Sequence, residues 1–146
     1  DLPRIRLNRA VYFSTRAVQV KPDSADAHFN LGFVLMEQGK VDEAIDHYSE
    51  GLRMDPEHAE IQIEVGVALG RQGNLDESIK HFTEALRIKP DFPQGHYSLG
   101  VALARQGKYD ESIRHFTEAL RIKPDFAEAR LGLEAAVQRR KELSEE

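Results

Sequence analysis

The sequence predicts an all-α protein, a stacked array of about eight short helices arranged as antiparallel pairs. Three observations carry this expectation. Prolines recur every 34 residues, at Pro22, Pro56, Pro90 and Pro124, glycines recur at the same interval at Gly39, Gly73 and Gly107, and the apolar residues between them fall at helical spacing. A fixed period of this length marks a solenoid, in which each unit buries its apolar face against the next.

The elements follow in order along one array, residues 1–146. Residues 4–22 are a partial unit with a second helix only. Ala10, Ala17 and Pro22 fall in register there, Ser14 stands where an aromatic belongs, and the face holding Ile5, Leu7, Val11 and Val18 lacks its partner helix. Three full units then span 25–58, 59–92 and 93–126. In the first, Phe29, Leu31, Leu35 and Met36 lead to Gly39, and Ala44, Ile45, Tyr48 and Leu52 lead to Pro56. The glycines sit where each first helix must stop, because glycine adopts the left-handed conformation at little steric cost. The prolines end each second helix, and Asp23, Asp91 and Asp125 are placed to cap the next one. Turns this short force neighbouring helices antiparallel. Residues 127–146 form a final first-type helix that runs through Gln138, Arg139, Arg140 and Lys141 with no glycine stop. Its charge suits a solubilising cap, or a tail that meets a partner.

Complementary sizes explain why the units stack. Gly32, Gly66 and Gly100 recur in the first helices, and Gly51, Ala85 and Ala119 in the second. Leu31, Val65 and Leu99, then Leu35, Leu69 and Leu103, then Tyr48, Phe82 and Phe116 keep the same register. A large residue facing a small one lets helix axes approach to about 8–10 Å.

Composition excludes several classes. A net charge of −5 argues against duplex nucleic acid, and no apolar run approaches the ~20 residues needed to cross a bilayer. Without cysteine there is no disulfide or thiolate ligand, so redox compartment is not fixed; a cytoplasmic setting is favoured. The start partway through a unit marks the chain as a piece of a longer protein. His47, His81 and His115 recur at one register, but stacked positions lie about 10 Å apart, too far for shared zinc ligation, and they read as surface residues copied with the unit. The pairs Asp42 with Glu43, Asp76 with Glu77 and Asp110 with Glu111 open the second helices, where negative charge complements the dipole. No nucleophile–base pair or phosphate loop is present, so no enzyme activity, metal or cofactor is expected.

The pattern Leu31, Gly32, Leu35, Ala44, Tyr48, Gly51, Pro56 repeats as Val65, Gly66, Leu69, Ser78, Phe82, Ala85, Pro90 and as Leu99, Gly100, Leu103, Ser112, Phe116, Ala119, Pro124. This resembles the tetratricopeptide repeat family. The usual aromatic near the start of the first helix is replaced by His28, Gln62 and His96, which loosens one edge. The resemblance implies a right-handed superhelix whose first helices line a concave groove that holds peptides or partner proteins. The carboxylate clamp of chaperone-binding members is absent, since its positions hold Phe29, Phe33, Glu64, Gln94 and Ser98. The asparagine ladder of sugar-transferase arrays survives only at Asn30, the other rungs being Glu64, Ser98 and Gly132.

Units two and three differ at every aligned position across 59–65 and 93–99, while their scaffold positions are kept. Selection for a ligand and drift at tolerant positions both give this pattern. On the implied geometry, Phe29, Phe33, Ile63, Val67, Tyr97 and Val101, continued by Leu131 and Ala135, form an apolar stripe beside Asp26, Asn30, Glu60, Glu64, Gln94 and Ser98. Part of the stripe, especially the second residue of each pair, can instead be internal packing. An apolar stripe with an acidic margin suits an amphipathic protein segment carrying basic residues. The expected function is therefore a protein-interaction scaffold, with two alternatives: self-association through residues 4–20, or the docking arm of a larger enzyme such as a glycosyltransferase.

Overall fold

The computed structural model describes residues 1–146, and its regular structure is entirely helical. The helices are α1 (Leu2–Val20), α2 (Ala25–Glu37), α3 (Val41–Met54), α4 (Ala59–Arg71), α5 (Leu75–Ile88), α6 (Pro93–Arg105), α7 (Tyr109–Ile122) and α8 (Ala127–Glu145). Each even-numbered helix from α2 to α6 forms a hairpin with its successor. The turns contain Gly39, Gly73 and Gly107 at φ of 74°, 82° and 77°, a region that side-chain-bearing residues avoid. In each turn the glycine N–H and the following N–H close back on the last helical carbonyls, as in Lys40 N–H to Leu35.

The caps differ from the sequence expectation. Ser24, not Asp23, caps α2, its hydroxyl accepting from the Ala27 N–H at 3.2 Å, while Phe92 and Phe126 occupy the cap positions of α6 and α8 without a side-chain bond. Asp91 is drawn instead to Arg121 at 3.4 Å, across the unit boundary. The paired carboxylates do stand in the first turns of α3, α5 and α7. They also tie units together: Asp42 accepts from Gln72, Asp76 from Gln106 at 2.7 Å, and Asp110 from Arg140 at 3.0 Å. The Asn8 side chain accepts from Gln38 at 3.3 Å in the same register. Thus α1 and α8 dock on their neighbours with the geometry of ordinary repeat helices.

Within each hairpin an aromatic ring lies on a glycine. A Cβ added at Gly32 would sit 2.5 Å from the Tyr48 ring, and one at Gly100 would sit 2.9 Å from Phe116. Phe82 covers Gly66 in the same way. Ser78 and Ser112 hydroxyls cross the hairpin to the Gly66 and Gly100 carbonyls at 2.6 and 2.7 Å, satisfying buried polar groups. Tyr48 is less well matched: its ring is fully enclosed and its hydroxyl has no hydrogen-bond partner. Burial, reinforced by Glu64, pushes its phenol well above the ordinary range. Since Phe82 and Phe116 fill the same position without a hydroxyl, Tyr48→Phe is expected to stabilise the chain by about 1 kcal/mol, removing an unsatisfied group. A lower urea midpoint in the variant would contradict this.

The histidine register is not a copied surface. His47, His81 and His115 are half-buried, each bonded across its hairpin: to His28 (Nδ1 to Nδ1, 3.0 Å), to the Gln62 side-chain oxygen (2.7 Å) and to His96 (Nδ1 to Nδ1, 3.1 Å). The Nε2–H groups of His28 and His96 donate to the Pro22 and Pro90 carbonyls at 3.0 and 2.9 Å. Those carbonyls can only accept, so in the neutral rings Nδ1 of His28 and His96 accepts from His47 and His115. The edge that lacks the usual aromatic is therefore hydrogen-bonded, not loose.

Burial lowers the pKa of His47, His81 and His115, and the facing His28 and His96 add to the effect in the outer two. A group held below its unfolded value binds fewer protons in the fold, so its stabilisation is complete above about pH 6.5 and is lost as pH falls through the folded pKa. The urea midpoint is expected to drop on mild acidification, and the triple variant His47→Gln, His81→Gln, His115→Gln should flatten that drop. An unchanged pH profile in the triple variant would exclude the histidines as its source.

Candidate functional site

The first helices α2, α4, α6 and α8 carry the residues singled out for the groove, and the structure separates them into three groups. Phe29, Ile63 and Ser98 are buried. Phe29 lies over Gly51 and packs edge-on against His58 at 5.0 Å, and Ile63 packs in a cluster with Ala85 and Leu99. These residues build the wall from behind. In the first two apolar pairs it is the first residue, not the second, that is internal: residues i and i+4 are offset by about 40° on a helix, and that rotation turns Phe29 and Ile63 onto the paired helix.

Phe33, Val67, Tyr97 and Val101 form the second group, at the surface. Phe33 is 41% exposed and meets Tyr48 edge-on at 5.5 Å. Tyr97 leans over Phe126, its ring centroid 5.0 Å away. Val67 and Val101 flank a hollow of about 170 Å³ whose base is Gly66 and Phe82. Val101 also borders a second hollow of about 310 Å³, lined by Ala135, Gly132 and Phe116. That hollow exists because small residues in α8 replace the larger ones used in earlier units.

The polar margin is the third group. Asp26 and Asn30 are exposed beside α1, where they border a depression of about 490 Å³ shared with Phe13 and Arg16. Glu60 is engaged by Lys89 at 3.2 Å and faces His58 at 3.5 Å, so much of its charge is used within the array. Glu64 is half-buried, and burial pushes its carboxyl up while Arg71 pulls it down. Gln94 is exposed, with its amide 3.5 Å from the Ser98 hydroxyl, a long contact.

Arg71 and Arg105, one turn beyond Val67 and Val101, supply a second charged edge that the sequence reading passed over. Both are exposed; Arg105 donates only to the Gly70 carbonyl, at 3.0 Å, and neither is in salt-bridge contact with a carboxylate, although Arg71 acts on Glu64 from a distance. Arg139 continues the row but is held by Glu142 at 2.7 Å. The signal was legible: the three arginines are 34 residues apart, and the first two have no acidic residue three or four positions away. The surface that carries Phe33, Val67 and Val101 thus has an apolar strip between a polar, carboxylate-bearing edge and a guanidinium edge.

Solved structures with this architecture are numerous. A crystal structure of MamA protein superposes with a TM-score of 0.86 at 19% identity, covering 95% of this chain and 76% of that one. The first TPR of Spaghetti (RPAP3), bound to the HSP90 peptide SRMEEVD, gives 0.77 at 23% identity over 79% of this chain and 91% of that one. The Sgt2 TPR domain from Aspergillus fumigatus gives 0.79 at 17% identity over 84% and 82%. At these identities the likeness is one of fold. The tetratricopeptide repeat family model matches residues 9–59, 34–93 and 66–127 in overlapping succession. With three matches that together run through most of the helices described above, the chain belongs to the tetratricopeptide repeat family, whose domains are protein-interaction modules.

Proposed function

We propose that this chain holds an amphipathic segment of a partner protein along its inner surface. The observation that supports this most directly is the strip Phe33, Val67 and Val101, surface-accessible and bordered by hollows of about 170 and 310 Å³. Side chains of an apolar helix face fit such hollows, and burying them drives association. The edge with Asp26, Asn30 and Glu64 favours basic residues on one flank of the partner. The edge with Arg71 and Arg105 favours acidic residues on the other, which would also set its direction. The RPAP3 domain was solved with an HSP90 peptide, but Phe29, Phe33, Glu64, Gln94 and Ser98 offer no cationic clamp for a terminal carboxylate, so that ligand class is not expected here.

A displayed library of helical peptides, selected on the chain, tests the reading. Enriched sequences should combine an apolar stripe with Lys or Arg on one flank and Asp or Glu on the other. Val67→Glu should weaken their capture at least about tenfold with helicity unchanged. Peptides that bind Val67→Glu and Phe33→Glu as well as the parent would place the site elsewhere. A second reading, self-association through residues 4–20, is favoured by a specific observation: Ile5, Tyr12, Phe13 and Val20 are exposed on α1. Light scattering showing a monomer at every concentration would exclude it.

A further inference from the structure

In every complete hairpin the same three pairings lock the first helix to the second. His28, Gln62 and His96 bond His47, His81 and His115. Phe29 lies over Gly51, and Ile63 shares a cluster with Ala85, as Tyr97 does with Ala119. Gly32, Gly66 and Gly100 receive the rings of Tyr48, Phe82 and Phe116. Carried one unit forward, the register gives α8 the first-helix positions Arg130, Leu131 and Glu134. Carried one unit back, it gives α1 the second-helix positions Phe13, Ala17 and Ser14. These two sets fit each other. Arg130 would lie on the Phe13 ring, a cation–π pair in place of two imidazoles. Leu131 would cover Ala17, and Glu134, large where the other units have glycine, would meet Ser14, small where they have an aromatic.

We infer that the occupant of the exposed α1 face is α8 of a second copy of this chain, the two helices forming a composite repeat across a head-to-tail junction. This rests on the self-association reading and specifies its geometry. Arg130 is already held in the right place: it donates to the Pro124 carbonyl at 3.0 Å, the counterpart of the Pro22 and Pro90 carbonyls that fix His28 and His96. The required faces are open, with Phe13 60%, Leu131 67% and Val137 40% exposed. Neither helix breaks at the shared turn position. Ile5 and Lys141 stand at the positions of Gly39, Gly73 and Gly107, and both lie inside continuous helix. Run antiparallel past that point, the basic start of α1, with Arg4 and Arg6, lies beside the acidic end of α8, with Glu142 and Glu145. Exposed Leu143 meets Leu2 and Ile5. Because the two faces differ, the contact does not close on itself and growth continues at both ends.

Sedimentation velocity of the chain and two surface variants, Phe13→Asp and Val137→Asp, tests this. The parent should show an average mass that keeps rising with concentration beyond two protomers. Each variant alone should be monomeric with unchanged helicity, and an equal mixture should form a species of two protomers and no larger, since one intact end of each kind remains. A monomeric parent overturns both the inference and the self-association reading. A parent that stops at two protomers, with Val137→Asp still dimeric, overturns only the inference and indicates α1 pairing with α1.

Discussion

Replacing Phe82 with alanine is expected to destabilise the chain by about 3–5 kcal/mol, the range for emptying a buried aromatic site. The ring is 4% exposed and belongs to a cluster drawn from α4, α5 and α6, including Ala59, Ile63 and Leu99. One side of it rests on Gly66, so the wall there is helix backbone, which cannot move in to fill the space. The loss is a large share of a typical total of about 5–15 kcal/mol. It also falls at the middle of a structure whose units are coupled only to their neighbours. Urea unfolding followed by circular dichroism should therefore show a lower midpoint and a broadened or divided transition. Hydrogen exchange should show α2 and α3 opening separately from α6 and α7. A single transition shifted by less than about 1 kcal/mol would mean that the site collapses around the smaller residue.

The scaffold was legible in the sequence because it is written three times. The turn at Gly73 could be placed with certainty once Gly39 and Gly107 stood at equal distances, and φ between 74° and 82° is the conformation that requires them. Features that depend on one local contact were not legible. Asp23 and Ser24 are both good caps on composition, and only the backbone path decides that the Ser24 hydroxyl reaches the Ala27 N–H. The histidine pairs were missed for a related reason: a period of 34 relates His47 to His81, whereas its partner His28 is 19 residues away. Helical periodicity assigned Phe29 and Phe33 to one face, yet a difference of about 40° puts one over Gly51 and the other at the surface. Periodicity locates a face to within one neighbouring row of side chains; the partner helix decides which row is covered.

That same coupling between rows gives the second large effect. Gly51→Ala should add about 1 kcal/mol of helix propensity, yet the new Cβ overlaps the Phe29 ring, which is 3% exposed and boxed in by Tyr48, Ile61 and His58. Overpacking of this kind costs about 1–3 kcal/mol, and with no open side for the ring to enter, the steric term is expected to win by about 1–2 kcal/mol. The second unit shows how the conflict resolves: alanine at 85 is accepted where Ile63 replaces the ring. Phe29→Ile should therefore relieve Gly51→Ala, leaving the propensity gain visible in the double variant. A double-mutant cycle by urea unfolding should give a favourable coupling of at least about 1 kcal/mol. Additive effects would mean that the ring shifts freely, and that the pairing of large with small across each hairpin tunes packing without enforcing it.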